Sequence, residues 1–446
     1  MSLLHHSLTP RLKPLSARRS ATLSVLDVGT SKVVCLIAQL KPVAETESLP
    51  GRTHLARVIG IGHTRSTGLK GGAIVDLEAA EQAIRQAVDA AERMAKVEVQ
   101  SVIVNLTGGR LGSQSYAASV AVRSGSVGNS DVERVLAAAS EHSLRPGRAV
   151  LHALPTGFSL DGQTGVVDPE GLMGDTLGVD MHVVTAEAAV AKNLMLAVER
   201  CHLDVEAIVA TPYAAGLSAL VDDEADMGVC LIDLGGSTTS VGVFLGGHIV
   251  HVDALAVGGH HVTMDIARGL STRIAAAERL KTLYGSTIMT ASDERELISV
   301  PLVDEEERDI PNHVPKSHLI RIIQPRVEEI LELVRDRLRN AGFGAEAGRR
   351  VVLTGGASQL TGVTEVARRI LSEHKGGAIV RSGRPLGIKG LPEAAKGPAF
   401  SAAVGMLVYP QVAHIEHFEP RAGASYLGTG TDGYLARVGR WIKESF

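Results

Sequence analysis

The sequence predicts an α/β protein in which two related domains face one shared site, and three observations carry that reading. Two stretches about 200 residues apart, VLDVGTSKVVCLIA (Val25 to Ala38) and LIDLGGSTTSVGVF (Leu231 to Phe244), share one pattern. Each runs from an apolar stretch into an aspartate, turns on Gly and Ser/Thr, and leaves by a second apolar stretch, which is a β-hairpin signature. Recurrence of the same device in both halves implies an internal duplication. The composition agrees: 45% apolar, 3% aromatic and 48 glycines in 446 residues suit helices and sheets built on Ala, Val, Leu and Ile. That length accommodates roughly two or three domains and a large core.

The hairpin tips are chemically specific. Glycine lets the backbone approach a ligand closely, so Gly29, Gly235 and Gly236 allow successive N–H groups to converge on an anion. Thr30, Ser31, Ser237, Thr238 and Thr239 add hydroxyl donors. Asp27 and Asp233 stand just before the turns, where two carboxylates facing each other across a cleft hold Mg²⁺ through its water shell. One such turn is ordinary hairpin punctuation. Two in the same order form a clamp for nucleotide phosphates.

Other classes are set aside by composition. No run of about eighteen apolar residues is present to span a bilayer. The start, MSLLHHSLTPRLKPLSARRS, lacks the apolar segment of a secretory signal, and residues 1–20 are expected to be a disordered tail. Cys35, Cys201 and Cys230 each lie in or beside an apolar run with no CxxC pairing, which argues against disulfides and zinc and for a reducing cytoplasm. His5 and His6, and His260 and His261, lack further ligands at metal spacing and read as tail and turn residues. A net charge of −4 gives no electrostatic footprint for nucleic acid.

After the first hairpin, Asp76 is the predicted N-cap of a helix whose apolar face carries Leu77, Ala80, Ile84, Val88, Ala91 and Met94. A strand follows at Val102 to Leu106, ended by Thr107, Gly108 and Gly109. Residues 110–183 alternate β-like runs with one helix, DVERVLAAASEHS, as a small inserted α+β domain would. The helix AVAKNLMLAVERC leads to VEAIVATPYAAGLSAL, a strand entering a helix just before the second hairpin. Beyond it, AVGGHHVTMDIARGL reads as strand, turn and helix, and STRIAAAERLKTLYG as a further helix. Ser286 to Pro315, rich in acids and prolines, is expected to be exposed and loop-rich with short strands. Pro325 is expected to start a long helix with Val327, Ile330, Leu331, Val334 and Leu338 on its apolar stripe. VVLTGGASQLTGV reads as a buried strand, a Gly-Gly turn and a helix start, and GPAFSAAVGMLVY returns the chain to the first domain.

Residues 411–430 are expected to be a flexible linker, rich in Gly, Ala, Pro and polar residues. The final segment, 431–446, is the second informative feature. On a helix, Tyr434, Leu435, Val438, Trp441, Ile442 and Phe446 share one face, bordered by Arg437, Arg440 and Lys443. A terminal helix docked on its own globule would also use such a face. The preceding linker, the flanking cations and the short aromatic-rich stripe favour the plane of an anionic membrane interface, where each cation contributes about 1 kcal/mol. One such helix binds marginally, and polymerisation would multiply its affinity.

The ordered motifs resemble the actin, Hsp70 and sugar-kinase superfamily. The two hairpins match its two phosphate loops, IVATPYAAGLSAL its first connecting helix, LTGGASQLTGV its adenosine loop and GPAFSAAVGM its second connecting helix, over residues 21 to about 410. Within it the chain resembles the FtsA family of bacterial cell-division proteins through GGAIVDLEAA, VLHALPTGFSLDG, AVERCHLDVEAIV, GGHHVTMDIA, IIQPRVEEILELV and the terminal amphipathic segment. That resemblance implies an actin-like (ribonuclease H-like) two-domain ATPase fold. Domain 1A would comprise residues 21–109, 184–220 and 396–410, with an inserted 1C subdomain at 110–183. Domain 2 would be residues 221–395, with subdomain 2B about 284–340.

It also implies ATP or ADP with Mg²⁺ as cofactors. The nucleotide contacts implied are Asp27, Gly29, Thr30, Ser31 and Lys32, then Asp233, Gly235, Gly236, Ser237 and Thr238, with Lys32 a point charge on the phosphates. Glu278 and Lys281 would meet ribose and adenine, although a solvated helix face reads the same way, and Gly355, Gly356 and Ser358 would pass beneath the adenosine. Where hydrolysing relatives carry Glu or Gln to position the attacking water, this chain has Thr211. Tight binding with slow or negligible turnover is expected, the nucleotide acting as a structural switch.

The partners implied are the C-terminal peptide of FtsZ, met on 2B by Arg326 and Glu329, further copies of this chain in an actin-like filament, later division proteins on 1C, and anionic lipid at the inner membrane of the division site. Arg326 and Glu329 read equally well as ordinary charges on an exposed helix. The rivals are a small-molecule kinase and a pilus-assembly ATPase of the same superfamily. A kinase would need a catalytic Asp in a substrate cleft and has no use for the terminal segment.

Overall fold

A computed structural model describes residues 10–417 apart from 11, 13–14, 17, 44–51, 141–144, 303–311, 344–348 and 373–376. The expected membrane face, Tyr434, Leu435, Arg437, Val438, Arg440, Trp441, Ile442, Lys443 and Phe446, lies outside the described residues, as do His5 and His6.

The first hairpin forms from strands Ala21–Val28 and Lys32–Pro42, antiparallel, with Asp27 opposite Val34. His54–Arg65 adds a third antiparallel strand on one side, while Ser101–Leu106 and then Asp204–Ala210 add parallel strands on the other. The second hairpin, Val229–Leu234 with Thr239–Leu245, is extended in the same manner. His248–Leu255 continues its antiparallel meander, and Arg350–Thr354 and Ile379–Ser382 are parallel on the far side. Both lobes thus repeat one strand order, the structural form of the duplication read from the two motifs. Parallel strands are covered on both faces, which explains why VIVNL and VVLT read as continuous apolar runs. Separate cores fill the two lobes, one around Leu26, Leu36, Ile37 and Ile103, the other around Ile232, Leu319, Leu331 and Leu353.

Between the parallel strands of the first lobe lies the insert. Strands Gly112–Ala121, Arg148–Leu160, Gln163–Val166 and Thr176–Glu187 pair antiparallel and carry the helix Asn129–Ser140 on a third core of Val135, Leu177, Met181 and Val183. Its sheet meets that of the second lobe through a single pair, Gly112 with Asp253. The helix Ala188–Glu199 then returns the chain to the first lobe.

Two helices cross between the lobes, Thr211–Ala219 and Ser401–Val412. They meet at small residues, and the approach is close: a methyl added to Gly405 would stand 1.6 Å from the Ala214 carbonyl oxygen.

Asp76 caps the helix Leu77–Ala95 by accepting from Ala79 N–H at 3.1 Å. Four expectations are corrected. Met94 leaves the apolar face and is 55% exposed, because Ala80, Ala83, Ile84, Ala87, Val88 and Ala91 complete the buried stripe before the helix's last turn. Pro325 does not start a helix but sits inside Lys316–Asn340. An interior proline costs about 3 kcal/mol, yet Leu319, Ile320 and Ile323 before it and Val327, Ile330 and Leu331 after it are buried, each contributing about 1.5–3 kcal/mol. Residues 411–417 are packed rather than a flexible linker: Gln411 accepts from the N–H groups of Thr53 and His54 at 3.0 Å, and His417 N–H reaches Ala153 O at 2.9 Å. Near the N-terminus Leu12 packs against the first core, and His54 Nε2 lies 3.2 Å from Arg19 O.

Among the described residues, no helix is long and apolar enough to cross a membrane. The three cysteines are free, and burial pushes the thiols of Cys35 and Cys230 up to about 12.

Candidate functional site

The two hairpin tips face each other across a cleft of about 540 Å³. Asp27, Gly29, Thr30, Ser31 and Lys32 line it from the first lobe, and Asp233, Gly235, Gly236 and Thr238 from the second. The tips touch: Ser237 N–H donates to Thr30 Oγ1 at 3.1 Å. Both aspartates end a buried strand, so each carboxylate is carried to the cleft floor with its backbone already spent on the sheet.

Asp27 is held by a defined partner. Asn105 Nδ2 donates to its Oδ1 at 2.6 Å and also to Thr211 Oγ1 at 3.1 Å, while Asn105 Oδ1 accepts from Val28 N–H at 2.8 Å. Burial raises the Asp27 carboxyl above its ordinary value, against the pull of Lys32 and Asn105. Lys32 itself is lowered by burial, with Asp27 and Asp233 acting the other way. Its Nζ donates to Ala399 O at 2.6 Å and stands 3.5 Å from the centroid of the Phe400 ring. The lysine therefore faces the cleft from a fixed position against the start of the second connecting helix.

Asp233 lacks such support. No side-chain donor contacts its carboxylate among the described residues, and burial, with the nearby Asp27 charge, raises it to about 7 despite Lys32. Gly355, at φ +84°, lets its loop's backbone pass beneath it; a methyl there would stand 2.4 Å from Asp233 Oδ1. A buried carboxyl without a partner is costly in its charged form, and a hydrated divalent cation is a group that removes that cost.

The helix Ile274–Tyr284 closes the opposite wall. Lys281 Nζ meets Glu278 Oε2 at 2.7 Å, Thr263 Oγ1 at 2.9 Å and Gly259 O at 3.1 Å, and Thr263 Oγ1 donates to Glu278 at 2.5 Å. The Lys281 side chain is only 12% exposed, so the solvated-face reading does not hold for it. Burial pushes the Glu278 carboxyl up, but Lys281 and Thr263 outweigh it and hold it below the ordinary range. Gly355 and Gly356, with Ala357, Leu360 and Thr361, complete the wall.

Two expected contacts lie elsewhere. Ser237 is outside the cleft lining, and Ser358 turns its hydroxyl back onto Gly355 O at 2.7 Å. Thr239, a third hydroxyl expected at the tip, is fully buried and donates to Val257 O at 2.8 Å. Sequence reading missed Asn105, Thr107 and Gly259, all on the lining. Asn105 was recoverable, since one amide inside the apolar run VIVNL demands a polar partner. Thr211 heads the first connecting helix at the cleft, its Oγ1 within 2.6 Å of Thr107 Oγ1. Its short hydroxyl is thus engaged by Asn105 and Thr107.

Away from the cleft, Arg326 bridges Asp265 at 2.6 Å and Glu329 on the outer face of its helix. Asp265 raises the guanidinium above its ordinary value, and Glu329 adds to this. His261 acts as a turn residue, its Nδ1 accepting from Gly258 N–H at 3.2 Å.

Known proteins match this arrangement. Residues 230–405 fit the family model described as "Cell division protein FtsA", and residues 108–185 the model "SHS2 domain inserted in FTSA". The chain is 56% identical over 438 residues to the "Cell division protein FtsA" of Rhizobium meliloti (strain 1021), covering 98% of both chains. Among solved structures it superposes on the "PilM-PilN type IV pilus biogenesis complex" with TM-score 0.59 at 16% identity, covering 88% of this chain and 99% of that one. It superposes on "MreB5 of Spiroplasma citri bound to ADP" with TM-score 0.50 at 15% identity, covering 89% and 98%. The duplicated lobes and the cleft between them define an actin-like protein carrying an inserted subdomain. The chain belongs to the FtsA family of cell-division proteins.

Proposed function

We propose that this chain is a nucleotide-gated membrane tether of the division machinery: it holds Mg²⁺·ATP between its lobes, assembles into filaments on the inner membrane and links the FtsZ ring to that membrane. The observation that carries the reading is the pair of hairpins, whose buried aspartates converge on one cleft of nucleotide size. The structural neighbour MreB5 of Spiroplasma citri is bound to ADP, which supports this reading.

In this reading Thr30, Ser31, Gly236 and Thr238 take the phosphates with backbone N–H groups and hydroxyls, the Gly29 and Gly235 N–H groups closing their own turns onto Lys32 O and Thr238 O. Lys32 supplies positive charge, and Asp27 and Asp233 receive Mg²⁺ through its water. Glu278 and Lys281, fixed to each other and to Thr263, orient the nucleoside end. The bound metal would supply charge neutralisation to the Asp233 carboxyl, which has only Lys32 to set against its burial. Hydrolysis is slow because Thr211 cannot orient water well while Asn105 and Thr107 occupy its hydroxyl. The cleft's acids, Asp27, Asp233 and Glu278, are thereby accounted for, leaving no catalytic base for a small-molecule kinase among the lining residues.

The tether itself is residues 431–446, whose aromatic face and flanking cations favour anionic lipid. Arg326 and Glu329 offer the FtsZ peptide a paired charge that would have to open or be bridged on binding. Insert residues 110–183 supply a surface for other copies and for later division proteins. Negative-stain microscopy on anionic lipid monolayers, with and without ATP and FtsZ peptide, tests this reading. Filaments on lipid that disappear when residues 431–446 are deleted are the expected result; absence of filaments in every condition overturns it.

A further inference from the structure

Phe400 stands where the chain enters the second connecting helix, immediately before Ser401–Val412. The helix it heads begins with Ser401, Ala402, Ala403, Val404 and Gly405, so a large ring at this point breaks a run of small residues. Part of the ring packs against the first core. Its face meets a different group. Lys32 Nζ lies 3.5 Å from the ring centroid and donates to the carbonyl oxygen of Ala399, the preceding residue, at 2.6 Å. His63, on the strand His54–Arg65, packs against the same ring at 6.2 Å between centroids. Burial, and then Lys32, lower that imidazole below its ordinary value, so at neutral pH it places no second charge beside the ring.

The placement of Lys32 has to be enforced. A lysine carries its charge on a long flexible stem, and Asp27 and Asp233 both attract the ammonium. Left to that pull, the charge would settle on a carboxylate. The Ala399 carbonyl offers one hydrogen bond, and the ring face adds an attraction that grows when the cation is desolvated. This seat is itself fastened to the rest of the cleft. Pro398 O accepts from Gly355 N–H at 3.2 Å and lies 3.1 Å from Thr354 Oγ1, which is 2.8 Å from Ser401 Oγ. Ser401 O accepts from Ser218 Oγ on the first connecting helix at 2.6 Å. Residues 398–401 thus hold the glycine loop of the second lobe and the cation of the first hairpin in one frame.

We infer that Phe400 is a positioning residue for phosphate recognition: its ring face keeps the Lys32 ammonium off the two aspartates and directs the charge at the polyphosphate of the nucleotide. The inference rests on the function proposed above and deepens it. Phe400 is outside the cleft lining, so it acts through Lys32 rather than by touching nucleotide. A purely structural role would be met by any apolar side chain of similar bulk. A positioning role requires an aromatic face.

The test uses the full chain and displacement of a fluorescent ATP analogue by Mg²⁺·ATP, with unfolding temperature recording that each variant is folded. Phe400→Leu should weaken ATP about fivefold, and Phe400→Tyr, which keeps the face, should stay within about twofold of the unaltered chain. In a Lys32→Met chain no cation remains to be held, and adding Phe400→Leu should change ATP affinity by less than about twofold. Without nucleotide, the ε-methylene proton resonances of Lys32 should be shifted upfield by the ring, return toward the ordinary lysine position in Phe400→Leu and stay shifted in Phe400→Tyr. An equal loss with and without the Lys32 ammonium overturns the inference, as does a folded Phe400→Leu chain that binds ATP as well as the unaltered one. Should Phe400→Leu fail to fold, an unshifted Lys32 in the unaltered chain, or a Phe400→Tyr chain with clearly weakened ATP binding, overturns it. An unaltered chain that does not bind Mg²⁺·ATP instead brings down the function proposed above, and this inference with it.

Discussion

The two hairpins share a backbone and differ in how their aspartates are satisfied. At the first tip, Asp27 has an amide partner in Asn105 and a nearby cation in Lys32, itself anchored by Ala399 and Phe400. At the second tip, Asp233 has burial, a like charge nearby and no side-chain donor among the described residues. Duplication supplied the geometry twice; burial raises both carboxyls, but Asp27 has an amide partner to offset it and Asp233 has none among the described residues. In the proposed clamp the first tip would be the preorganised side and the second the side whose cost is relieved when metal and nucleotide bind.

The largest way to break this contrast is pH. Burial raises Asp233 from 3.8 to about 7, so between those values the ligand-free folded chain keeps a proton that the unfolded chain has lost. Its stabilising contribution is complete below pH 4 and lost as pH rises through 7, an effect of up to about 4 kcal/mol at about 1.4 kcal/mol per unit. Asp233→Asn should flatten that dependence and raise the unfolding temperature of the ligand-free protein at pH 8. An unchanged melting profile would place the two aspartates on an equal footing.

Next in size is the metal dependence of binding. Asp233→Ala should weaken ATP about 100-fold with Mg²⁺ present, close to 2.7 kcal/mol, and change little in chelator, whereas Lys32→Ala should weaken it in both conditions. Equal metal dependence in the two variants, measured by fluorescence titration, would erase the distinction between the tips.

Gly405→Ala tests whether the tips work as one cleft. Its methyl would collide with Ala214, forcing the connecting helices apart at a cost of about 1–3 kcal/mol. Urea unfolding should record the loss, with reduced ATP affinity following from misaligned lobes. The smallest effect should come from Asn105→Ala, which makes the first tip resemble the second. Losing its hydrogen bonds with Asp27, Thr211 and the Val28 N–H should cost about 1–2 kcal/mol of stability and lift Asp27 further, a change readable by carboxyl-resolved NMR titration.

The same contrast explains what the sequence could reveal. Both hairpins were legible because apolar runs broken by Asp, Gly and Ser/Thr leave the backbone few other choices. Which hydroxyl faces the cleft was not: Ser237, Thr239 and Ser358 lie within the motifs yet point to backbone carbonyls or away, since a turn's side-chain directions depend on what packs around it. Asn105 and Thr107 belong to a strand end whose importance appears only when the sheet sets it beside Asp27. Pro325 misled because its local preference for a helix start is overridden by apolar neighbours on both sides that the second core buries. Gln411 to His417 look like linker by composition but are ordered by hydrogen bonds to residues 53, 54, 152 and 153, which no local pattern foretells.

The central claim is that the cleft takes nucleotide together with metal at the expense of a proton on Asp233. Calorimetric titration of Mg²⁺·ATP into the full chain at pH 7, repeated in two buffers of different ionisation enthalpy, tests it directly. A single site, with an apparent enthalpy that shifts between buffers by the amount expected for release of about half a proton, is the predicted result. Binding of equal strength in chelator with an enthalpy independent of buffer, or no binding at all, would contradict it.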